Sequence, residues 1–392
     1  MLAKLGRPVR LGMVGGGGTA LIGPVHRVAA EFDGCMEIVA AVLSSNPDRS
    51  VAEAAQLAIP RGYRSVPDMI AAEASRSDGI DAVAIATPND SHAEFACLAL
   101  EAGLDVICDK PLTNDLASAR QIAALVAKTG RIFVITHNYA GYPMVREARA
   151  AIAAGELGPV RIVHVAYVQG SLGTRVEDQP HTIPSRLAWR LDPAKGGQSH
   201  VMGDIGTHAH QLLTFITGRS VARVLADIGA ALPGRSAHDT GSVILTMTDG
   251  AKGVLFVTKA ATGAEIALTI EVYGEAGGLF WSQSDPNQLR IMRHGRPAEI
   301  RTRGLPTLHP TARRASRIPP GHPEGFYEAF ANIYVDFAEL VASRRSNTAP
   351  DPFARDAPDV ATGDSGLAFI DACLTSTKSG GWVNCEETLL KF

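Results

Sequence analysis

Four consecutive glycines, Gly15–Gly18, close the first apolar run of this chain, Val9–Val14. A short β-branched run that stops in glycines and is followed by a helical pattern reads as a buried strand, a sharp turn and a helix with open N-terminal N–H groups. The same grammar continues. Apolar runs recur at Glu37–Leu43, Ile80–Ala86, Leu104–Cys108 and Ile132–Thr136, each bounded by turn residues. Between them lie helical patterns at Pro24–Phe32, Pro47–Leu57, Val66–Ser75, Ser91–Ala102 and Asn114–Lys128. Strands without polar alternation are buried on both faces, and helices between them enforce parallel pairing. The expectation is a doubly wound α/β domain, a Rossmann-type parallel sheet over residues 1–140.

Beyond residue 140 the pattern changes. A helix is expected at Pro143–Ala154 and a strand at Val160–Gln169, with a polar loop to Gly197 and a helix at Met202–Thr217. Strand-like runs then follow in series at Val221–Ala230, Gly241–Thr248, Lys252–Ala260 and Ile266–Gly274, with Asp249-Gly250 as a hairpin signal. Strands without intervening helices predict a mostly antiparallel open sheet, so residues 141–392 read as an α+β domain. Arg290–Pro320 reads as a basic, Pro-rich surface excursion, and helices at Glu324–Ala342 and Pro358–Ser376 end the reading.

Composition narrows the function. Lys and Arg total 37 against 40 Asp and Glu, a formal charge of -3, which gives no field for gripping nucleic acid. No apolar run reaches the ~18–20 residues of a membrane-spanning helix. The five scattered cysteines, never spaced C-x-x-C, fit reduced thiols and predict a cytoplasmic protein without a zinc site.

The chemistry-bearing motifs fall at strand ends. In the glycine loop, Gly15 and Gly17 fit the first two positions of a dinucleotide turn, with Thr19 beside them and Ala20 at the third; Gly23 lies later than the usual spacing. The second run ends in Leu43-Ser44-Ser45 with Arg49 one turn on, where a ribose 2′-hydroxyl usually meets Asp or Glu. Small hydroxyls and an arginine tilt the expectation toward NADP, with Asp48 as helix cap and Arg49 as a solvated charge the alternative. Thr87-Pro88-Asn89, Ser91 and His92 follow the third run, and Asp109-Lys110-Pro111 the fourth. Ser91 is also a candidate cap. In the second domain Asp204 and His208 are four apart and share a helix face, a spacing open to a proton-transfer pair, a metal site or a structural pair. Tyr139 and His137 fall at the domain boundary, and Trp189 suits either stacking on a sugar face or a core position. His210 reads as structural.

In this order, a glycine loop, T-P-N-x-x-H, D-K-P and G-D-I-G-x-H, the motifs make the chain similar to the Gfo/Idh/MocA family of sugar and polyol oxidoreductases. Gly155-Glu156-Leu157-Gly158-Pro159-Val160 and Trp189-Arg190 extend the likeness over essentially the whole chain. The resemblance implies NAD(P)-dependent hydride transfer to or from a hydroxyl or ketone of a sugar, sugar derivative or inositol, with no resident metal. It implies Lys110, Asp204 and His208 as the catalytic set: His208 as base, Lys110 on the reacting oxygen near the nicotinamide, and Asp204 on a neighbouring hydroxyl. It implies cofactor contacts from the glycine-loop, Ser44, Ser45, Arg49, Thr87, Pro88, Asn89, His92, Asp109 and Lys110 positions, and substrate contacts from Tyr139 and Trp189. It also implies a homodimer or homotetramer formed through the second-domain sheet. Three departures stand out: the longer glycine loop, Asp109 where the family has Glu, and no arginine after Tyr139. A redox-neutral enzyme with tightly held cofactor and a non-catalytic nicotinamide sensor are the competing readings.

Overall fold

The computed structural model describes residues 2–18, 20–178 and 197–385. It divides into two units, one of residues 1–138 with 326–364 and one of residues 139–325 with 365–392.

In the first unit, a short helix α1 (Leu2–Leu5) precedes strands β1 (Val9–Gly15), β2 (Met36–Val42), β3 (Arg61–Gly62), β4 (Ala82–Ala86), β5 (Asp105–Cys108) and β6 (Phe133–Ile135). Between them run α2 (Ile22–Glu31), α3 (Pro47–Gln56), α4 (Val66–Ala74), α5 (His92–Glu101) and α6 (Leu116–Thr129). The sheet order is β3-β2-β1-β4-β5-β6 with every pairing parallel, the order of a dinucleotide-binding sheet. β4, β5 and β6 are buried at every residue, which is why they show no polar alternation. Asn46, Ser65 and Asp115 start α3, α4 and α6 by accepting hydrogen bonds from Arg49, Asp68 and Ser118 N–H groups. The cap of α3 is therefore Asn46, and Asp48 instead pairs with Arg64 at the surface.

The second unit carries helix α7 (Pro143–Ala153), strand β7 (Val160–Val168) and helix α8 (Thr207–Thr217). Strands β8 (Val221–Gly229), β9 (Thr240–Met247), β10 (Lys252–Thr258), β11 (Ala267–Gly274), β12 (Gly278–Ser282), β13 (Gln288–Met292) and β14 (Glu299–Thr302) follow, then a short helix α9 (Pro310–Arg314). With β15 (Val383–Asn384) they form a nine-stranded sheet, β14-β13-β12-β11-β7-β10-β9-β8-β15. Its pairings are antiparallel except β7 with β10. Asp249-Gly250 forms the β9–β10 hairpin, with Gly250 at φ 92°. One sheet face is buried through residues such as Val165, Leu255 and Ile270, while Ile162, Ile244 and Val254 stand 52%, 51% and 42% exposed on the other.

Two expectations need correction. The Arg290–Pro320 stretch is not a surface excursion, because it contributes β13, β14 and the buried Leu308 and Ala312. Buried Arg303 organises it, donating to Asn287, Glu324 and the carbonyls of Ile318, Pro319 and His322. The boundary at residue 140 also needs an addition. Helix α10 (Phe326–Ser346) belongs to the first unit, where Phe330 and Tyr334 pack edge-on to His26 of α2. Arg344 and Arg345 pair there with buried Asp105 and Asp81 at 2.7 and 2.9 Å. Helix α11 (Val360–Ser379) follows.

His210 of α8 stacks on Phe369 with ring centroids 4.4 Å apart, and burial pushes its pKa down to about 4. The folded state resists protonating this ring, whereas the unfolded chain takes up a proton below its ordinary pKa of about 6.5. Stability is therefore full above that value and falls as pH drops toward 4, by at most about 1.4 kcal/mol per pH unit. Urea midpoints at pH 7 and pH 5 measure this slope. His210→Leu is expected to flatten it, and equal slopes in both proteins would acquit the ring.

Candidate active site

In the first unit the site begins with glycine backbone. Gly15, Gly16 and Gly18 adopt φ of 81°, 75° and 58°, a region where a side chain is strained. A Cβ on Gly23 would lie 1.9 Å from the Gly16 carbonyl oxygen, so the start of α2 packs directly on the loop. Close packing is the task of the third glycine in a dinucleotide turn, and here Gly23 performs it. Ala20 does not: it closes a turn by donating its N–H to Gly17. A cradle that any Cβ would fill, opening at a helix N-terminus, fits a pyrophosphate. Thr19 lies outside the described residues.

At the end of β2, the Ser44 hydroxyl accepts from the Asn46 N–H, while Ser45 is exposed. Arg49 donates through Nε to Glu53 at 2.6 Å, so the guanidinium expected to meet a 2′-phosphate is already matched by a carboxylate. After β4, Thr87 and Pro88 lead into a turn at Asn89–Ser91. The Ser91 hydroxyl donates to Thr87 Oγ1 and makes no cap for α5. His92 is fully buried, with its ring nitrogens 2.9 and 3.0 Å from the carbonyl oxygens of Pro111 and Thr87. It ties two strand-end loops together, a different setting from the expected cofactor contact.

Asp109 supports Lys110. Its Oδ1 accepts from the Lys110 N–H at 3.0 Å and from the Thr136 hydroxyl at 2.9 Å, and lies 3.7 Å from His26 Nε2. Burial alone would raise this carboxyl, but His26, then Lys110 and His92, hold it well below the ordinary carboxylate range. His26 in turn lies 2.7 Å from the Tyr334 hydroxyl. The shorter arm of Asp109 thus still fixes the backbone at Lys110, whose peptide with Pro111 is cis.

In the second unit, Asp204 sits in a single π-helical turn, Met202–Gly206, that runs straight into α8. Such turns re-aim side chains and recur at functional sites. The Asp204 carboxylate pairs with Lys259, 3% exposed just beyond the end of β10. His208, 8% exposed, meets the edge of the Tyr139 ring at 5.0 Å. The Tyr139 hydroxyl lies 2.9 Å from that of Tyr167 and 2.9 Å from Gln283 Oε1. Burial, with the charge of Asp204, pushes Tyr167 up to about 12, and burial beside Tyr167 raises Tyr139 well above its ordinary value, so both phenols stay neutral. Tyr139, 2% exposed, is therefore a wall behind His208 and not an open contact surface. Trp189 lies outside the described residues.

Sequence reasoning missed Glu53, Lys259, Tyr167 and Gln283. Lys259 and Gln283, just past β10 and β12, reach partners in helical turns outside the sheet, Asp204 and Tyr139, and Glu53 reaches its loop across the end of a strand. The one signal was Glu53 itself, four residues after Arg49, the spacing of a helical ion pair.

A glycine cradle on a 3-2-1-4-5-6 sheet, with a lysine at a strand end and a carboxylate–imidazole helix in a second unit, defines a dinucleotide-dependent oxidoreductase. Residues 9–137 match the family described as "Oxidoreductase family, NAD-binding Rossmann fold", and residues 145–280 match the GFO/IDH/MocA C-terminal domain. The chain belongs to the GFO/IDH/MocA family. It is 32% identical over 387 residues to the uncharacterized oxidoreductase YfiI of Bacillus subtilis (strain 168), covering 97% of each chain. An inositol dehydrogenase homolog from Azotobacter vinelandii complexed with NAD+ superposes with a TM-score of 0.90 at 34% identity, over 96% of this chain and 97% of that one. The same homolog with NADH and myo-inositol gives 0.87 at 32% identity, over 96% and 98%.

Proposed function

We propose that this oxidoreductase is an NAD(P)-dependent dehydrogenase that moves a hydride between nicotinamide and a ring hydroxyl or ketone of a cyclitol, sugar or sugar derivative. The observation that carries the reading is the Lys110, Asp204 and His208 set in a chain similar to a homolog that holds NADH and myo-inositol. When bound, the cofactor supplies the hydride chemistry itself. The glycine loop, Gly15–Gly23, holds its pyrophosphate. Hydride leaves the carbinol carbon as its oxygen gives up a proton, so a base must take that proton and a cation must sit beside the negative charge that develops on the oxygen. His208 takes the proton, and Tyr139 fixes the ring plane edge-on. Lys110 donates to the same oxygen, its backbone fixed by Asp109. Asp204 accepts from a neighbouring hydroxyl, with Lys259 setting its direction.

Absorbance of the reduced cofactor, followed with NAD and with NADP against a panel of inositols, sugars and glycosides, tests this. Turnover on at least one member is the expected result; folded, cofactor-binding protein inert toward all of them would overturn it. The exposed face of the second sheet, where Ile244 and Val254 are direct cross-strand partners, pairs with a second copy of the chain in a homodimer or homotetramer. Light scattering measures that mass, and Val254→Asp with Ile244→Asp is expected to reduce it. The enzyme works in the cytoplasm.

A further inference from the structure

The end of β2 lacks the carboxylate that usually receives the adenosine ribose, yet a carboxylate stands over that spot from elsewhere. Glu53 projects from α3 onto the glycine loop: a Cβ built on Gly17 would lie 2.1 Å from its Oε2 and 2.5 Å from the Leu43 carbonyl oxygen. Gly17, Glu53 and the end of β2 therefore meet at one point. α3 is fixed there, because Ser50 Oγ accepts from the Leu43 N–H at 3.0 Å and donates to the Tyr63 carbonyl at 2.7 Å. The two carboxylate oxygens differ. Oε1 accepts from Arg49 Nε at 2.6 Å, whereas Oε2 is buried with no hydrogen-bond partner among the described residues. A buried carboxylate oxygen without a donor is costly, and a ligand hydroxyl would relieve it.

We infer that Glu53 is the ribose-recognising carboxylate of this enzyme, so that the dinucleotide it takes is the one with a free 2′-hydroxyl. The inference rests on the dehydrogenase reading and refines its cofactor. A ribose diol donates to Oε2, while a 2′-phosphate brings like charge against it. Arg49, more than half exposed, holds Glu53 in place through Nε, and its Nη2 lies over Gly18 of the same loop. The other cation at the loop, Arg27, is committed to the Gly16 carbonyl at 2.8 Å, toward the pyrophosphate end. The tilt toward NADP read from Ser44, Ser45 and Arg49 is thereby reversed, because the sequence places Glu53 ten residues from the strand end it serves.

The test is the dissociation constant of NAD+ and of NADP+ by titration calorimetry at fixed salt, for wild type, Glu53→Gln and Arg49→Ala, with melting temperatures of the unliganded proteins as a fold check. Wild type is expected to bind NAD+ about tenfold or more tighter than NADP+. Glu53→Gln, isosteric and uncharged, is expected to shrink that ratio about tenfold by weakening NAD+ and strengthening NADP+. Arg49→Ala, which leaves the carboxylate without its counter-charge and its brace, is expected to weaken both cofactors, NADP+ more, so that the preference for NAD+ widens, and it serves if Glu53→Gln fails to fold. Wild-type preference for NADP+, a ratio unmoved by Glu53→Gln, or equal losses for both cofactors in either variant would overturn the inference alone. Folded wild type that binds neither cofactor would bring down the dehydrogenase reading with it.

Discussion

Lys110→Ala and His208→Ala are each expected to lower turnover by about 10²–10⁴-fold, the range for a positioned proton-transfer group or charge partner. Steady-state kcat on the best substrate of the panel measures this, alongside the dissociation constant for cofactor. Lys110 is half-buried at a strand end and its neighbour Asp109 carries the local hydrogen bonds, so folding should survive its truncation. His208 is more enclosed, and its loss removes an edge contact with Tyr139, which predicts a small drop in melting temperature beside the large drop in kcat. The two effects separate by pH. If His208 is the base, the acidic limb of the kcat/KM profile for alcohol oxidation disappears with it, while Lys110→Ala keeps that limb. A variant within about threefold of wild type, far below the expected range, leaves the catalytic set.

Lys259→Met is expected to damage stability and turnover together. Lys259 is 4% exposed in its side chain and its partner Asp204 16%, so the variant removes the cation beside a largely buried carboxylate. Removing one member of such a pair costs about 3–5 kcal/mol, toward the lower end here because Asp204 keeps some solvent. Adding Asp204→Asn should restore most of the stability and none of the activity, since the unmatched charge is gone but the carboxylate is too. Urea midpoints and kcat for the two single variants and the double variant give the answer. A double variant no more stable than Lys259→Met would show that the lysine acts through its packing and not through its charge.

Periodicity revealed the parallel sheet because β4, β5 and β6 are buried on both faces and cannot alternate. It missed β3, two residues long, and β12–β14, whose pairing partners lie in a stretch dense with Arg and Pro. Local motifs marked Lys110, Asp204 and His208, since each lies in a compact string. What escaped were groups defined by their partners. Glu53 in isolation is an ordinary helical acid, and Lys259 an ordinary strand-end base, until the fold sets one on Gly17 and the other on Asp204. The glycine pattern misled in a related way: Ala20 occupies the expected spacing, but the longer loop hands the packing task to Gly23.

The membership of Phe326–Asp364 in the first unit has a consequence for biosynthesis. Ribosomal synthesis runs from the N-terminus, and domains generally fold as units once their chain has emerged. Residues 1–138 emerge first, yet His26 still lacks the Tyr334 hydroxyl and Asp105 the Arg344 guanidinium, both supplied by α10, while Asp81 has Arg7 but not yet Arg345. Every strand from β7 to β14 is translated in the meantime. The nascent dinucleotide-binding unit therefore waits, unfinished, while all but the last strand of the second sheet is made, and its own last parts leave the exit tunnel only after most of the second unit.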